Sequence, residues 1–373
     1  MLTVLLTDGA FTGLIRTLRA AYADDIRIVG LSMDADTPHQ AILDAFYVMP
    51  SHNDATYMDQ LIGILLAEHV QIIFPIISEG LESLLRDEDR IRKETGARII
   101  TPPSSALKIA NDKGLLYRFM KDQTDEQLSS LIPVFYEADT KEALLTAIGQ
   151  MQASGKKPCI KRRRGEDAEG FWVIDDTADY ASHLFFRQPK RILSVNMLSD
   201  MLSKIQTSDP IPPYLISEYL PGEEWDCDVL CMNGELLSVT TRINLAMTGG
   251  LTSVAEVRNH PFLASCCRKI VAALHLSYVA CISFRADAKG RLYILEINPR
   301  MMGNIYVSAL AGNNYAKMAI DLLEGRDIHP VHPKDGVKTA LYYDQIQIMP
   351  HSASRLFTQG EADKQENTGG LYV

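Results

Sequence analysis

Residues 291–304, RLYILEINPRMMGN, constrain the chain more than any other stretch: an apolar strand that ends at Pro299 beside Arg300. Side chains alternate along a strand, so Glu296 and Asn298 share one face while Leu295 and Ile297 turn to the other. A carboxylate and an amide oxygen at that spacing suit a hard cation such as Mg²⁺, which takes one or two carboxylates together with substrate phosphates. An arginine next to them can contact a phosphoryl group in transfer.

A chain of 373 residues exceeds one ordinary hydrophobic core, so two or three domains are expected. The formal net charge of -10 argues against a general affinity for nucleic acid or anionic membranes. Six cysteines without paired zinc-type spacing read as reduced thiols of a cytoplasmic protein. The opening MLTVLLTDGA lacks a charged leader and a long apolar run, so neither a signal peptide nor a spanning helix is expected.

The pattern begins as strand, turn and helix over residues 2–6, 7–9 and 12–22. It continues with strands at 26–32 and 71–77, a helix at 57–69 between them, and a short strand at 99–101. That alternation predicts a parallel sheet with covering helices, ending at Pro102-Pro103. From residue 104 the pattern changes. Helices are expected at 105–121, 141–153, 261–276 and 313–324, and strands at 132–136, 158–162, 214–219, 224–232, 235–243, 279–285 and 291–297. Asn233-Gly234 is a strong hairpin turn and residues 287–290 a longer one, so this half is mostly antiparallel. The tail after Thr358 is polar and expected to fray.

Further groups carry chemistry. In EYLPGEEWDCD, Glu224, Asp226 and Asp228 alternate, which places three carboxylates on one face of a strand; that arrangement requires cations or donors, or else solvent. Lys161 ends an apolar strand and starts the basic run KRRRG, where a phosphate tail could be clamped, although such runs are commonly solvated patches. Asn111-Asp112-Lys113 opens a helix and alone proves nothing. TDGAFTG lacks the G-x-G-x-x-G arrangement of dinucleotide folds, so a nicotinamide role is the weaker reading. Ser78-Glu79-Gly80 follows a strand of the first domain, either as a substrate contact or, with more weight, as a helix cap.

In sequence order Asp112-Lys113, PCIK161, EYLPGEEWDCDV and EINPR resemble the ATP-grasp superfamily. The nearest branch is the carboxylate-amine ligases similar to the large subunit of carbamoyl phosphate synthetase. The resemblance runs from residue 1 to about 325. It implies an α/β and α+β chain: a Rossmann-like pre-ATP-grasp domain over 1–103, and an ATP-grasp domain over 104–325. The latter divides into a lid at about 130–221 and a catalytic part at about 222–325. Residues 326–373 form an extension packed on the core, with the polar tail at its end.

By the same resemblance, Lys113 and Lys161 match lysines that reach nucleotide phosphates, Glu218, Tyr219 and Leu220 the hinge that holds adenine, and Glu224 the ribose-binding acid. Glu296 and Asn298 match Mg²⁺ ligands, and Arg300 the arginine that steadies the transferring phosphoryl group. Arg242 is expected at the acyl phosphate or the substrate carboxylate. The implied cofactors are ATP and Mg²⁺, and the implied activity is ligation of a small-molecule carboxylate to an amine through an acyl phosphate. No nucleic-acid or membrane partner is expected; a homodimer is left open.

Two departures from the family pattern stand out. Where related enzymes place another metal ligand, CISFRAD puts Ser283; a loop of 287–290 pairs it with Ile294, and a shift of register could recruit Asp287 instead. The loop RRRGEDAEG replaces a glycine- and serine-rich flap, and Glu166, Asp167 and Glu169 repel a triphosphate unless neutralised. A nucleotide-binding module with little or no ligase turnover is therefore the alternative.

Overall fold

The chain is described by a computed structural model covering residues 1–7, 11–165, 168–181, 191–206, 211–342 and 345–347. Asp8 and Gly9 of the first turn, Glu166 and Asp167 of the acidic loop, and the tail after Thr358 lie outside the described residues.

The first sheet has five strands, β1 (Leu2–Leu6), β2 (Ile26–Ser32), β3 (Ala45–Val48), β4 (Ile72–Phe74) and β5 (Arg98–Ile99). They run parallel in the order β3-β2-β1-β4-β5. That is a doubly wound, Rossmann-like order, with its switch point between β1 and β4. Val4, Leu5 and Leu6 are 0% exposed because helices cover both faces, so β1 reads as a continuous apolar run.

The second sheet contains β6 (Phe135–Ala138), β7 (Pro158–Arg162), β8 (Trp172–Ile174), β9 (Ile192–Leu193) and β10 (Tyr214–Glu218). Their order is β6-β10-β7-β8-β9, antiparallel except for β8 with β9. Helices Lys141–Ala153 and Val195–Ser203 pack on it through Leu144, Ile148, Leu198 and Leu202.

The third sheet has six strands: β11 (Glu224–Met232), β12 (Glu235–Thr248), β13 (Leu251–Val257), β14 (Tyr278–Ala286), β15 (Leu292–Asn298) and β16 (Lys338–Ala340). All pairs are antiparallel, in the order β15-β14-β11-β12-β13-β16. Asn233 and Gly234 both have positive φ, 49° and 83°, which is what a two-residue turn between twisted strands requires. One face of this sheet is apolar. Cys227, Val229, Ile282, Phe284 and Ile294 pack there against helix Pro261–Leu274 and Leu116 and Met120 of helix Lys113–Lys121. The other face is polar and forms the site.

The helix expected over 105–121 is broken into Ser104–Ala110 and Lys113–Lys121. Asp112 causes the break: it caps the second helix, accepting from the backbone N–H groups of Gly114 (2.9 Å) and Leu115 (3.0 Å). The first and third sheets share a core, in which Leu14, Leu18 and Ile28 meet Met301, Ile305 and Tyr315. No helix among the described residues is long and apolar enough to cross a membrane.

Candidate functional site

A cavity of about 580 Å³ lies against the polar face of the third sheet, with the second sheet opposite and Phe11, Gly13 and His39 of the first unit at one end. Its wall includes Lys113, Lys161, Glu218, Tyr219, Leu220, Glu224, Glu296, Asn298 and Arg300, residues spread over almost two hundred positions of sequence. Of the residues that the resemblance assigns to the site, Arg242 is not on this wall, and neither is Ser78 of the first unit.

The polar face is ordered by register. Across β15, β14, β11 and β12, Glu296 pairs with Ser283, Ser283 with Asp226, and Asp226 with Arg242, so four polar side chains form one transverse row. A parallel row holds Asn298, Cys281, Asp228 and Thr240. The expected pairing of Ser283 with Ile294 is corrected here. The turn spans five residues, with Asp287 Oδ1 accepting from Lys289 N (2.8 Å) and Arg291 N (2.9 Å), and a bulge at Leu295 moves the register one residue further. Asp287 is thus a turn former, and Ser283 lies directly beside Glu296.

Glu296 is bound on two sides. Lys113 Nζ is 3.0 Å from its Oε2, and Asn298 Nδ2 donates to its Oε1 at 3.1 Å. Burial pushes this carboxyl up, but Lys113, Asn298 and Lys161 outweigh it, and Glu296 is held below the usual carboxylate range. Because the Asn298 amide nitrogen faces Glu296, its oxygen is the atom turned outward. An ionised carboxylate and an amide oxygen form a hard donor set, and these residues fit Mg²⁺ with the rest of its shell from water or phosphate.

Lys161 is 9% exposed and donates to the Tyr117 hydroxyl at 3.0 Å. Tyr117 in turn donates to the carbonyl oxygens of Ile294 (3.0 Å) and Leu295 (3.3 Å), the two residues at the β15 bulge. One buried phenol therefore ties the lysine of β7 to the strand of Glu296. Lys113 also donates to the Gly165 carbonyl at 3.0 Å, which joins the loop after β7 to the same point. The other cations of the basic run have structural partners: Arg163 holds Asp112 (2.7 Å) and Glu137 (3.0 Å), and Arg164 holds Glu82 (3.0 Å). Arg162 pairs with Glu169 at 2.6 Å, which neutralises that acid of the loop.

At the other end, Glu218 pairs with Lys156 and leads into Tyr219 and Leu220 on the wall. Glu224 accepts from Arg285 Nη1 (3.2 Å) and Asn244 Nδ2 (3.3 Å). Burial, followed by the nearby Asp226 charge, raises its carboxyl to about 7 despite those donors. Arg300 lies over the Phe11 ring, 5.6 Å from its centroid, and is 5% exposed. The loop behind it touches the first unit closely: a Cβ at Gly13 would stand 2.0 Å from the Gly303 carbonyl oxygen.

Arg242 is 0% exposed. Its Nη1 donates to Asp226 Oδ2 (2.6 Å) and Asn244 Oδ1 (3.1 Å), its Nε to Asp228 Oδ2 (3.3 Å) and its Nη2 to Asn304 Oδ1 (2.9 Å). It was expected at the acyl phosphate or the substrate carboxylate; in this structure its donors go to Asp226 and Asp228 of β11 and to the amide oxygens of Asn244 and Asn304. Of the three acids read as a cation-seeking face, Asp226 and Asp228 pair with Arg242 and Glu224 with Arg285.

The sequence of residues 210–344 matches the family model described as ATP-grasp in the biosynthetic pathway with Ter operon. Among solved structures, N5-carboxyaminoimidazole synthetase from Staphylococcus aureus, complexed with ADP, superposes with a TM-score of 0.61 at 15% identity, over 88% of this chain and 78% of that one. The chain has the ATP-grasp fold. The biotin carboxylase domain of Hydrogenobacter thermophilus 2-oxoglutarate carboxylase, in complex with MgADP, ADP and bicarbonate, gives a TM-score of 0.61 at 17% identity, covering 89% of this chain and 71% of that one. L-amino acid ligase from Bacillus licheniformis gives 0.57 at 13%, covering 86% and 73%. No curated protein sequence matches significantly.

Within this ATP-grasp fold, sequence reading missed Tyr117, Arg285 and the link from Asp226 to Ser283. Tyr117 sits in the apolar pattern of its helix and looks like core; only its hydroxyl partners reveal it. Arg285, 5.9 Å from the Tyr219 ring centroid and bonded to Glu224, alternates with Ser283 on the polar face, a signal that the spacing of β14 already carried.

Proposed function

We propose that the chain is an ATP-dependent ligase that joins a carboxylate to an amine through an acyl phosphate and releases ADP and phosphate. The observation that carries this reading is the convergence of Lys113, Lys161, Glu296, Asn298 and Arg300 on one cavity whose far end is formed by Glu218, Tyr219, Leu220 and Glu224. Solved structures of the same fold that hold ADP or MgADP support it.

In this reading, backbone groups of Glu218 and Leu220 hold the adenine against Tyr219, and Glu224 takes the ribose hydroxyls. Lys161, positioned by Tyr117, and Lys113 meet the phosphates. Glu296 and the Asn298 amide oxygen hold Mg²⁺. When bound there, the cation would neutralise charge on the phosphates.

A carboxylate oxygen of the substrate attacks the terminal phosphorus, and the bond to the ADP oxygen breaks. Arg300 stabilises the charge on the transferring group. The amine nitrogen then attacks the acyl carbon, phosphate leaves with the electron pair of the C–O bond, and the proton that the nitrogen gives up goes to the departing phosphate. Phe11 and the Gly13–Gly303 contact close the end of the cavity beside Arg300, which limits the water that would hydrolyse the acyl phosphate.

The test is Mg²⁺-dependent ADP formation with a panel of carboxylates and amines. Stimulation that requires both an acid and an amine supports the ligase. ATP binding with no stimulation by any pair supports the binding module.

A further inference from the structure

The row Glu296, Ser283, Asp226, Arg242 contains a hydroxyl where the family pattern expects an acid or an amide oxygen. Resting on the reading of Glu296 and Asn298 as the cation site, we propose that Ser283 Oγ is the third protein ligand of that site, and that Asp226 is the positioning residue that turns its lone pairs toward the cation.

Ser283 Oγ donates to Asp226 Oδ1 at 2.6 Å. A serine hydroxyl has one proton and two lone pairs, so a proton committed to Asp226 leaves both lone pairs directed away from it. Asp226 is the neighbour of Ser283 on one side in the sheet, and Glu296 is the neighbour on the other. Ser283 and Asp226 both reach the cavity wall, at 5% and 4% exposure.

Asp226 cannot rotate to serve as the ligand itself. Its Oδ2 accepts from Arg242 Nη1 at 2.6 Å and from Asn244 Nδ2 at 2.9 Å, which fixes the carboxylate plane and leaves Oδ1 for the hydroxyl. The hydrogen bond to a charged acceptor also raises the electron density on Oγ, which makes a weak neutral ligand a better one. The acid of this row thus stands on β11, one strand over from Ser283, acting through the serine and with its charge balanced by Arg242. The resulting shell holds one protein negative charge, from Glu296, so the cation binds tightly only together with nucleotide phosphates.

The test measures Mn²⁺ affinity at saturating ADP by electron paramagnetic resonance, and ADP affinity in EDTA by calorimetry. Ser283→Ala is expected to weaken Mn²⁺ binding by about tenfold or more, the usual effect of losing a group that supports a metal site, with metal-free ADP affinity unchanged. Ser283→Thr, which keeps the hydroxyl, retains the affinity. Asp226→Asn weakens Mn²⁺ binding in the native background and has no further effect in the Ser283→Ala background.

Native Mn²⁺ affinity in Ser283→Ala, beside a clear loss in Glu296→Ala, overturns the inference and leaves the cation site standing. Equal loss of metal-free ADP affinity in Ser283→Ala also overturns it, since Ser283 would then serve the nucleotide or the fold. An Asp226→Asn effect that persists without the hydroxyl removes the positioning role. Unchanged affinity in Glu296→Ala overturns the cation site itself, and the inference with it.

Discussion

Lys113 Nζ lies 3.0 Å from Glu296 Oε2, and this contact joins the first residue of a helix to the strand that carries the proposed cation site. The pair holds Glu296 ionised against the burial that opposes its charge. With its pKa held below that of the unfolded chain, Glu296 adds stability that is present above the unfolded pKa and fades as pH falls through the folded one. Lys113→Met leaves burial as the dominant influence and moves the pKa upward. The expected result is a Mn²⁺ affinity that collapses at mildly acidic pH in the variant and persists there in the native protein. A pH titration of Mn²⁺ binding in both proteins measures the difference; coincident curves would mean that Lys113 does not govern Glu296.

Glu224 behaves in the opposite sense. Its carboxyl, at about 7, lies above the ordinary value of 4.5. The folded protein therefore binds a proton that the unfolded chain releases, and the associated stability is complete below pH 4.5 and lost as pH rises through 7. A shift of this size corresponds to about 3 kcal/mol between the two limits, as an order of magnitude. Glu224→Gln should flatten that slope. Urea denaturation at several pH values between 4.5 and 8 is the measurement, read as native minus variant; a difference that does not change with pH refutes the assignment.

Arg242 neutralises two buried acids, at 2.6 Å from Asp226 and 3.3 Å from Asp228. Removing one partner of such a pair leaves an uncompensated charge in the interior, typically at a cost of about 3–5 kcal/mol. Arg242→Met is expected to destabilise the fold by that amount, and Asp228→Asn added to it should recover part of the loss. Equilibrium denaturation of the single and double variants tests this. A loss of ligase turnover with native stability would instead restore Arg242 to the substrate-facing role that its sequence position suggested.

Patterning made much of the architecture legible. Strands over 158–162 and 224–232 have the boundaries the pattern gives, because each is a short, almost wholly buried run bounded by exposed or turn residues. Glu296 and Asn298 face one way because side chains alternate along a strand. Register across strands was less accessible. The five-residue turn and the bulge at Leu295 together displace Ser283 from Ile294 to Glu296, and the apolar run LYIL does not mark the bulge, since the residue inserted is apolar like those before it. Asn111-Asp112-Lys113 was legible as a helix opening, but the apolar period continues through it, so the helix before it was not separated. Arg242 shows the same limit: its place on a site-facing strand is legible in the sequence, whereas its burial and its pairing with the acids of the adjacent strand are not. Short strands such as Trp172–Ile174 and Lys338–Ala340 have too few residues to show a period at all.

Tyr117 offers the strictest check on how the site is assembled. Its hydroxyl accepts from Lys161 Nζ and donates to the carbonyls of Ile294 and Leu295, so a single oxygen serves the phosphate lysine and the bulge that sets the position of Glu296. Tyr117→Phe keeps the ring, which is 0% exposed and packs edge-on against Phe135, and removes only that oxygen. The carbonyls lose their donor and the lysine its acceptor, a cost of about 1–3 kcal/mol for each buried group left unpaired. Two measurements should move together: stability by denaturation, and metal-free ADP affinity, as Lys161 loses its fixed direction. If stability falls while ADP affinity stays native, Lys161 reaches the nucleotide without Tyr117, and the phenol serves only the bulge.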